Sequence, residues 1–347
     1  MRRLRFLVRL PGVSMLKKRS FSGLRRQTLA ALTLFGLGAK PGLALNAPET
    51  LQVLDPTTKR VLKLKLRLPV QKTPTALLLY SPGLGSGVSN GAAWCEAWRE
   101  AGYLVVTLAH PVTDDSIWKT NQKKSLKSTI AEAIAAPQYA LRVKDCSFAL
   151  DYLLELSLLK PYLDATRIGI AGHSYGALTV QSITGQGGAG LLDRRIKAAI
   201  AFSPSAMSQE RAAAMGQVKI PFFCITGELD GQVTFKDGTG AVRLGVPVSQ
   251  RQWVYDYLPV AQRQELLVAQ ADHMSFAGEP IDASHFSREA PESEQNNVHT
   301  WQRVSALTTE FWNFYLGTQV KPTNQSREAY HKRLQAAAGP QDRLRFD

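Results

Sequence analysis

The pattern G-x-S-x-G occurs at residues 172–176 and places Ser174 between two glycines. An apolar run at residues 166–171 precedes it and is typical of a buried parallel strand, and a helix-like stretch begins at Ala177. A sharp turn from strand to helix lifts a serine hydroxyl clear of a sheet, and such a turn needs small residues beside the serine. The pattern therefore predicts a nucleophile elbow with Ser174 as the nucleophile.

A histidine after Ser174 should supply the general base that a serine hydroxyl needs at neutral pH. In folds with this elbow, the catalytic residues follow in the order serine, acid, histidine. His273 follows the apolar run at residues 265–269, so it would lie at the carboxyl end of a last strand, and we expect it to be the base. The other histidines after the serine are His285 in a polar stretch, His299 ahead of an amphipathic run, and His331 in a charged segment.

The acid that orients the histidine should follow the preceding strand. The apolar run at residues 220–227 leads into Glu228-Leu229-Asp230. Asp230 is the predicted acid and Glu228 is the alternative, because either carboxylate could hold the imidazole tautomer and stabilise its charged form. Asp256 and Asp272 are interpreted as surface or capping residues.

Two backbone N–H groups are expected to form an oxyanion hole. One belongs to Tyr175, directly after the serine. The other lies in the glycine-rich loop 81–87, which follows the apolar strand at residues 76–80, and we expect Leu84 to be this donor. The glycines of the loop let its backbone approach a substrate closely. A phosphate-binding loop would need Gly-Lys-Ser/Thr, which this loop lacks.

The segments that carry this pattern resemble the bacterial predicted dienelactone hydrolases, a branch of the α/β-hydrolases close to platelet-activating-factor acetylhydrolase. The resemblance spans roughly residues 50 to 316 and implies an α/β-hydrolase fold with a serine nucleophile. Its segments are Tyr80 to Gly87, Arg142 to Asp145, Asp164 to Thr179, Gly227 to Asp230, and His273. In relatives the oxyanion loop usually reads His-Gly-Leu-Gly, whereas Pro82 replaces the histidine here. True dienelactone hydrolases have a cysteine where Ser174 stands, so the family name does not fix the substrate.

Strand-like and helix-like runs alternate from Thr50 to Leu316 without a linker. This alternation predicts an α/β-hydrolase fold class: a mostly parallel central sheet with helices on both faces. We expect residues 45–317 to form one catalytic domain and residues 318–347 to form a polar C-terminal tail. The segment 116–136 is long enough for a partial lid, and no large separate cap domain is expected. The predicted elements are a hairpin at 51–68, strands at 76–80, 103–109, 196–202, 220–226 and 265–269, and helices at 92–102, 138–159 and 301–316.

Residues 1–44 hold ten Lys/Arg and no acid. The pair Arg25-Arg26 precedes a short apolar run at residues 29–39, and a small-residue end follows at residues 42–44. This order is typical of a signal peptide and resembles a twin-arginine signal. The apolar run is too short for a transmembrane helix. We therefore expect export by the twin-arginine or general machinery to the periplasm or outside the cell, with Met15 as an alternative start.

The net charge of +14 comes from 42 Lys/Arg against 28 Asp/Glu. Without the ten basic residues of the first 44, the balance falls to 32 against 28, so no nucleic-acid partner is expected. No Cys/His cluster has zinc spacing, and we expect no metal and no other cofactor. Of the three cysteines, Cys224 is predicted to be buried, and Cys95 and Cys146 could pair if the protein is exported.

The sequence thus predicts an exported serine hydrolase that cleaves small-molecule or lipid-like carboxylic esters through an acyl-enzyme. An amidase, an acyltransferase or a polyesterase could use the same triad. A catalytically inactive binding protein with this fold is a further alternative, because fold alone does not prove activity. The side chains expected to line an acyl or alcohol site are Trp118, Met207, Phe235 and Trp253.

Overall fold

The computed structural model describes residues 8–9, 49–119, 124–280, 282–287, 294–318 and 323–346. Within these ranges the chain forms a ten-stranded sheet, a separate three-stranded sheet and eight α-helices. The strands are β1 (Val8–Arg9), β2 (Thr50–Leu54), β3 (Val61–Arg67), β4 (Thr75–Ser81), β5 (Leu104–Ala109), β6 (Leu163–His173), β7 (Ile196–Phe202), β8 (Phe222–Leu229), β9 (Val233–Asp237), β10 (Gly240–Leu244), β11 (Arg263–Asp272), β12 (Phe286–Ser287) and β13 (Arg343–Phe346). The α-helices are α1 (Ala92–Glu100), α2 (Leu126–Ile134), α3 (Ala136–Glu155), α4 (Tyr175–Gln181), α5 (Gln209–Ala213), α6 (Val248–Tyr257), α7 (Glu294–Leu316) and α8 (Asn324–Ala337).

The large sheet has the order β1-β2-β3-β5-β4-β6-β7-β8-β11-β13. Its six central strands, from β5 to β11, run parallel, and antiparallel strands flank them at both edges. The predicted hairpin is present as β2 and β3, and Asp55 stabilises its turn by accepting hydrogen bonds from Thr57 N and Thr58 Oγ1. These strands confirm the predicted fold class, since parallel strands need helical crossovers on the faces of the sheet.

Side chains of the central strands point alternately into two hydrophobic cores, one on each face of the sheet. On one face, Leu77 and Leu79 of β4 pack with buried residues of α3, α4 and α6. On the other face, Leu78 and Tyr80 pack with α1, α7 and α8. The side-chain period of two along a strand requires this division, and burial on both faces explains why the strands read as continuous apolar runs.

The three cysteines are buried free thiols. Cys95 of α1 belongs to the core that contains Tyr80, whereas Cys146 of α3 belongs to the core that contains Leu77. The sheet therefore separates these two thiols, and the disulfide considered from the sequence does not form between them.

The C-terminal residues correct one prediction. A polar tail was expected at residues 318–347, but residues 323–346 form α8 and the edge strand β13. Tyr330 and Leu334 of α8 are fully buried, and Leu344 of β13 pairs with Leu266 of β11. These few side chains pack against the rest of the domain, and most of the segment is polar. Its composition is therefore like that of an unfolded tail, although the segment is folded. The domain therefore extends beyond the predicted end at residue 317.

A small cover lies over the carboxyl edge of the large sheet. It consists of α2 and the three-stranded sheet of β10, β9 and β12. The backbone N–H of Leu126, at the start of α2, donates to Thr239 Oγ1 beside β10 at 2.9 Å. Phe235 of the cover packs in one apolar cluster with Leu84 and Tyr175. The predicted lid segment 116–136 thus contributes α2, while the strands of the small sheet lie where no strand or helix was predicted.

No helix in the described ranges is both long and apolar enough to cross a membrane. The predicted signal peptide at residues 1–44 lies outside the described residues, apart from Val8–Arg9, which pair with β2.

Candidate active site

Ser174, Asp230 and His273 each stand directly after a parallel strand, namely β6, β8 and β11. Since the carboxyl ends of these strands meet at one edge of the sheet, the three side chains converge although about 100 residues separate the first from the last. Ser174 Oγ lies 2.9 Å from His273 Nε2, and His273 Nδ1 lies 2.8 Å from Asp230 Oδ1. An ionised carboxylate only accepts hydrogen bonds, so Nδ1 carries the proton and Nε2 can accept the serine proton.

The turn at Ser174 has the geometry of a nucleophile elbow. Its φ of 56° and ψ of −114° lie in a region that non-glycine residues rarely adopt. A Cβ on Gly176 would stand 1.9 Å from the backbone oxygen of Ser81, and a Cβ on Gly172 would stand 2.6 Å from the backbone oxygen of Gly176. The two glycines of the pattern are therefore required by close backbone packing around the serine.

Asp230 is fully buried and held in its ionised form. It accepts from Ser203 Oγ at 2.6 Å and faces Arg251 Nε at 2.9 Å, in addition to its contact with His273. Burial favours the neutral acid, but the Arg251 charge and these hydrogen bonds lower the pKa of Asp230 to about 2. The carboxylate can therefore stabilise an imidazolium across the neutral pH range.

The alternative residues considered from the sequence occupy other positions. Glu228 Oε2 accepts from the backbone N–H of Gln270, and its other oxygen lies 3.6 Å from Arg343 Nη2. Asp272 is buried and caps the short helix that begins at His273 by accepting from Ser275 N at 2.9 Å. The other histidines considered as bases do not join the cluster: His285 stacks on Trp118, His299 lies on α7, and His331 stacks on Phe346.

The two expected oxyanion donors border the serine. Tyr175 is the first residue of α4, and among the described residues no hydrogen bond from its N–H or from that of Leu84 is found. Gly83 brings the loop against the serine, since a Cβ on this residue would lie 3.6 Å from Ser174 Cβ. Free N–H groups at a helix N-terminus carry partial positive charge, so a developing oxyanion would be stabilised there.

Arg142 holds the glycine-rich loop 81–87 in place. It is buried in α3 and donates through Nη2 to the Pro82 carbonyl at 2.6 Å and to Ser81 Oγ at 3.2 Å. Its guanidinium also lies 4.4 Å from the centre of the Tyr175 ring. The Pro82 carbonyl thus accepts the hydrogen bond that holds this loop in place.

No family model matches the chain, and no curated protein matches it. Among solved structures, the chain is similar to the crystal structure of 2,6-dihydroxy-pseudo-oxynicotine hydrolase, with a TM-score of 0.51 and 15% identity, over 79% of this chain and 70% of that chain. The protein has an α/β-hydrolase fold. This likeness supports the expected fold, whereas it does not support the narrower dienelactone-hydrolase branch.

A second histidine, His173, lies against the backbone of His273. His173 Nε2 lies 3.0 Å from the carbonyl oxygen of His273, to which it can donate. Burial, together with repulsion from a protonated His273, lowers the pKa of His173 well below its usual range. The ring therefore stays neutral and fixes the backbone that carries His273.

Behind the loop, a buried network joins α3 to the strand ends. Asp145 accepts from Arg60 at 2.8 Å and lies 3.0 Å from His110 Nδ1, and His110 Nε2 lies 2.9 Å from Ser81 Oγ. Burial, with Arg142 nearby, lowers the pKa of His110 to about 4. This network stabilises the backbone at the start of the glycine-rich loop 81–87.

A cavity of about 320 Å³ opens above Ser174 and is in the size range of small-molecule sites. Met207 and Phe235, two of the predicted substrate-binding residues, line it. Trp118 does not line it. Trp118 lines a neighbouring cavity and donates to the Gly85 carbonyl at 2.8 Å, which supports the glycine-rich loop 81–87. Trp253 packs against the core on α6 and is not among the lining residues, so its prediction is corrected.

Arg251 and Ser203 are site residues that were not predicted from the sequence. Ser203 follows β7 directly, and this strand-end position is a signal that could have suggested it. Arg251 lies within α6 and donates to the carbonyls of Asp230, Gly231 and Ser203 at 2.8, 2.8 and 3.0 Å. No local pattern marks it, because its role depends on which side of α6 faces the acid.

Proposed function

We propose that this protein is a serine hydrolase that cleaves carboxylic esters through Ser174, His273 and Asp230. The observation that carries the proposal is the continuous line of contacts from Ser174 Oγ through the imidazole to Asp230, at 2.9 and 2.8 Å. Nucleophile, base and orienting acid lie within hydrogen-bond reach on three separate strand ends, which is the arrangement that acyl transfer by a serine requires.

In the proposed reaction, Ser174 Oγ attacks the ester carbonyl while His273 Nε2 takes its proton. The negative charge on the carbonyl oxygen is held by the N–H groups of Leu84 and Tyr175, and one such donor contributes about 10²- to 10³-fold in rate. His273 then returns the proton to the leaving alcohol. His273 then takes a proton from water, which attacks the acyl-enzyme carbonyl. The acid is released when the proton returns to Ser174 Oγ.

The ester preference rests on the sequence resemblance to predicted dienelactone hydrolases and platelet-activating-factor acetylhydrolase. The proposed site also fits a small ester, because its cavity is mostly apolar and opens directly onto the serine. We further propose that residues 1–44 direct export to the periplasm or the medium. N-terminal sequencing of protein recovered from the periplasm of a bacterial host would test this, and an intact N-terminus on protein confined to the cytoplasm would contradict it.

The test of the proposed activity is hydrolysis of 4-nitrophenyl esters, from acetate to long acyl chains, by the full-length protein. Ser174→Ala should lose at least about three orders of magnitude in kcat. Ser157→Ala, at an exposed serine, is the matched control and should match the wild type. Full activity in Ser174→Ala would contradict the proposal. A folded protein that hydrolyses neither esters nor amides would favour the inactive binding protein.

A further inference from the structure

The cavity above Ser174 carries one uncompensated positive charge. Two of its lining side chains are arginines, Arg251 and Arg211, and no carboxylate is among the described residues that line it. The charge of Arg251 is balanced by Asp230 at 2.9 Å. Arg211 is exposed, and no ion pair of its guanidinium is found in the described part of the chain. A net charge of one sign therefore faces the substrate space.

Arg211 stacks on an aromatic ring, and this ring stacks in turn on Tyr175, next to Ser174. Its guanidinium carbon lies 5.2 Å from the centre of the Tyr139 ring, and that ring stacks on the Tyr175 ring at 6.2 Å. Tyr139 is itself fixed, because its hydroxyl donates to the Leu178 carbonyl at 3.1 Å. Stacking holds a guanidinium by its face and leaves the N–H groups at its edge free to bind a ligand.

The rest of the cavity determines where a charged group could lie. Ser174 and His273 are at the inner end, where they are mostly buried, whereas Met207, Ile134 and Arg211 are exposed at the mouth. Apolar side chains line the space between the two ends, among them Leu178. An ester seated at Ser174 would therefore place an apolar spacer against these walls and a terminal group beside Arg211.

From this arrangement we infer that the preferred substrates are esters bearing a carboxylate on a short apolar spacer, and that Arg211 binds this carboxylate. The inference rests on the proposed esterase function. A carboxylate fits because one planar guanidinium offers two parallel N–H groups that match its two oxygens. Phosphate groups usually collect several cationic or backbone donors, and Arg211 is the single unpaired cation on the described wall.

The test compares matched ester pairs with the full-length protein. One pair is 4-nitrophenyl monoadipate and 4-nitrophenyl hexanoate, which differ by the terminal carboxylate on the acyl side. The other is 4-carboxyphenyl acetate and phenyl acetate, which differ on the alcohol side. The readout is the ratio of kcat/KM within a pair, after subtraction of the rate with Ser174→Ala.

In at least one pair, Arg211→Gln should lower this ratio by about 5- to 30-fold, which corresponds to about 1 to 2 kcal/mol. Arg211→Glu should lower it further, Arg211→Lys should keep part of it, and 0.5 M NaCl should reduce it in the wild type. Arg194→Gln makes the same charge change at an exposed arginine outside the cavity and should leave the ratio unchanged.

Ratios that agree within twofold between wild type and Arg211→Gln in both pairs would overturn the inference while leaving the esterase intact. An equal loss in Arg194→Gln would also overturn it, because the effect would then come from overall charge. Absence of turnover on all four esters in the wild type is a different result, since it would contradict the proposed function itself.

Discussion

Replacing Asp230 by Asn should damage both catalysis and stability, because the carboxylate contacts both His273 and the buried Arg251. The amide has nearly the same shape but lacks the charge that faces Arg251 Nε at 2.9 Å. Both side chains are almost completely buried, with 0% of the acid and 2% of the arginine side chain exposed. The substitution would therefore leave a guanidinium charge in the interior without its counterion.

Breaking a buried ion pair by removing one partner costs about 3 to 5 kcal/mol. Arg251 keeps its donations to the carbonyls of Gly231 and Ser203, so we expect the lower end, about 3 kcal/mol. The turnover number should fall by about three to four orders of magnitude, because an amide that offers an N–H to His273 Nδ1 favours the wrong tautomer.

A double-mutant cycle separates the two effects. Arg251→Met should also destabilise the protein, while Asp230→Asn/Arg251→Met should be more stable than the sum of the single changes by about 2 kcal/mol. Activity should not return in the double variant. Urea denaturation and 4-nitrophenyl ester turnover measure the two properties, and Asp151→Asn, at a surface ion pair, is the control with an expected change of at most about 1 kcal/mol. Strict additivity of stability, or a turnover number within tenfold of wild type in Asp230→Asn, would refute this reasoning.

Three other outcomes are expected. Gly176→Ala should lower the free energy of unfolding by more than about 3 kcal/mol, because its Cβ would stand 1.9 Å from the Ser81 oxygen. Gly190→Ala, with open space around it, is the control and should change the free energy of unfolding by about 0.5 kcal/mol or less. Equal melting temperatures of the two variants would contradict the close packing around Ser174. Burial and Arg142 lower the pKa of His110 to about 4, so stability that is present above the unfolded pKa of about 6.5 should be lost as pH falls toward 4. The stability lost in this way is roughly 3 kcal/mol. Between pH 7 and pH 4, the urea midpoint of His110→Gln should therefore depend on pH less than that of the wild type. The same pH dependence in both proteins would contradict this role of His110. All three cysteines are buried, and burial raises the pKa of Cys146 well above its usual range. A thiol reagent should therefore label the cysteines only after the protein unfolds. Rapid labelling of the native protein would contradict their buried positions.

The sequence was sufficient to select Ser174, Asp230 and His273, and the structure brings the three together. The reason is that apolar parallel strands are easily recognised, and polar residues at their carboxyl ends must meet at one edge of the sheet. Arg251 could not be selected this way. It reaches the acid from within a helix, and only the packing of that helix shows which of its residues faces Asp230.

The cover and the C-terminal segment were the parts of the fold that composition could not predict. β9 and β10 are short and partly exposed, so their residues lack the apolar run that marks a central strand. α8 is attached mainly through Tyr330 and Leu334, and β13 gains its stability from pairing with β11. Such elements depend on contacts with distant segments rather than on their own periodicity.

Active-site labelling with a fluorophosphonate, followed by peptide mapping, tests the central claim most directly. The account predicts one modification, on Ser174, that is absent in Ser174→Ala and much slower in His273→Ala, because a serine reacts with this probe only when a base activates it. Labelling at another residue, or a folded wild-type protein that does not react at all, would contradict the proposal that Ser174 is the nucleophile.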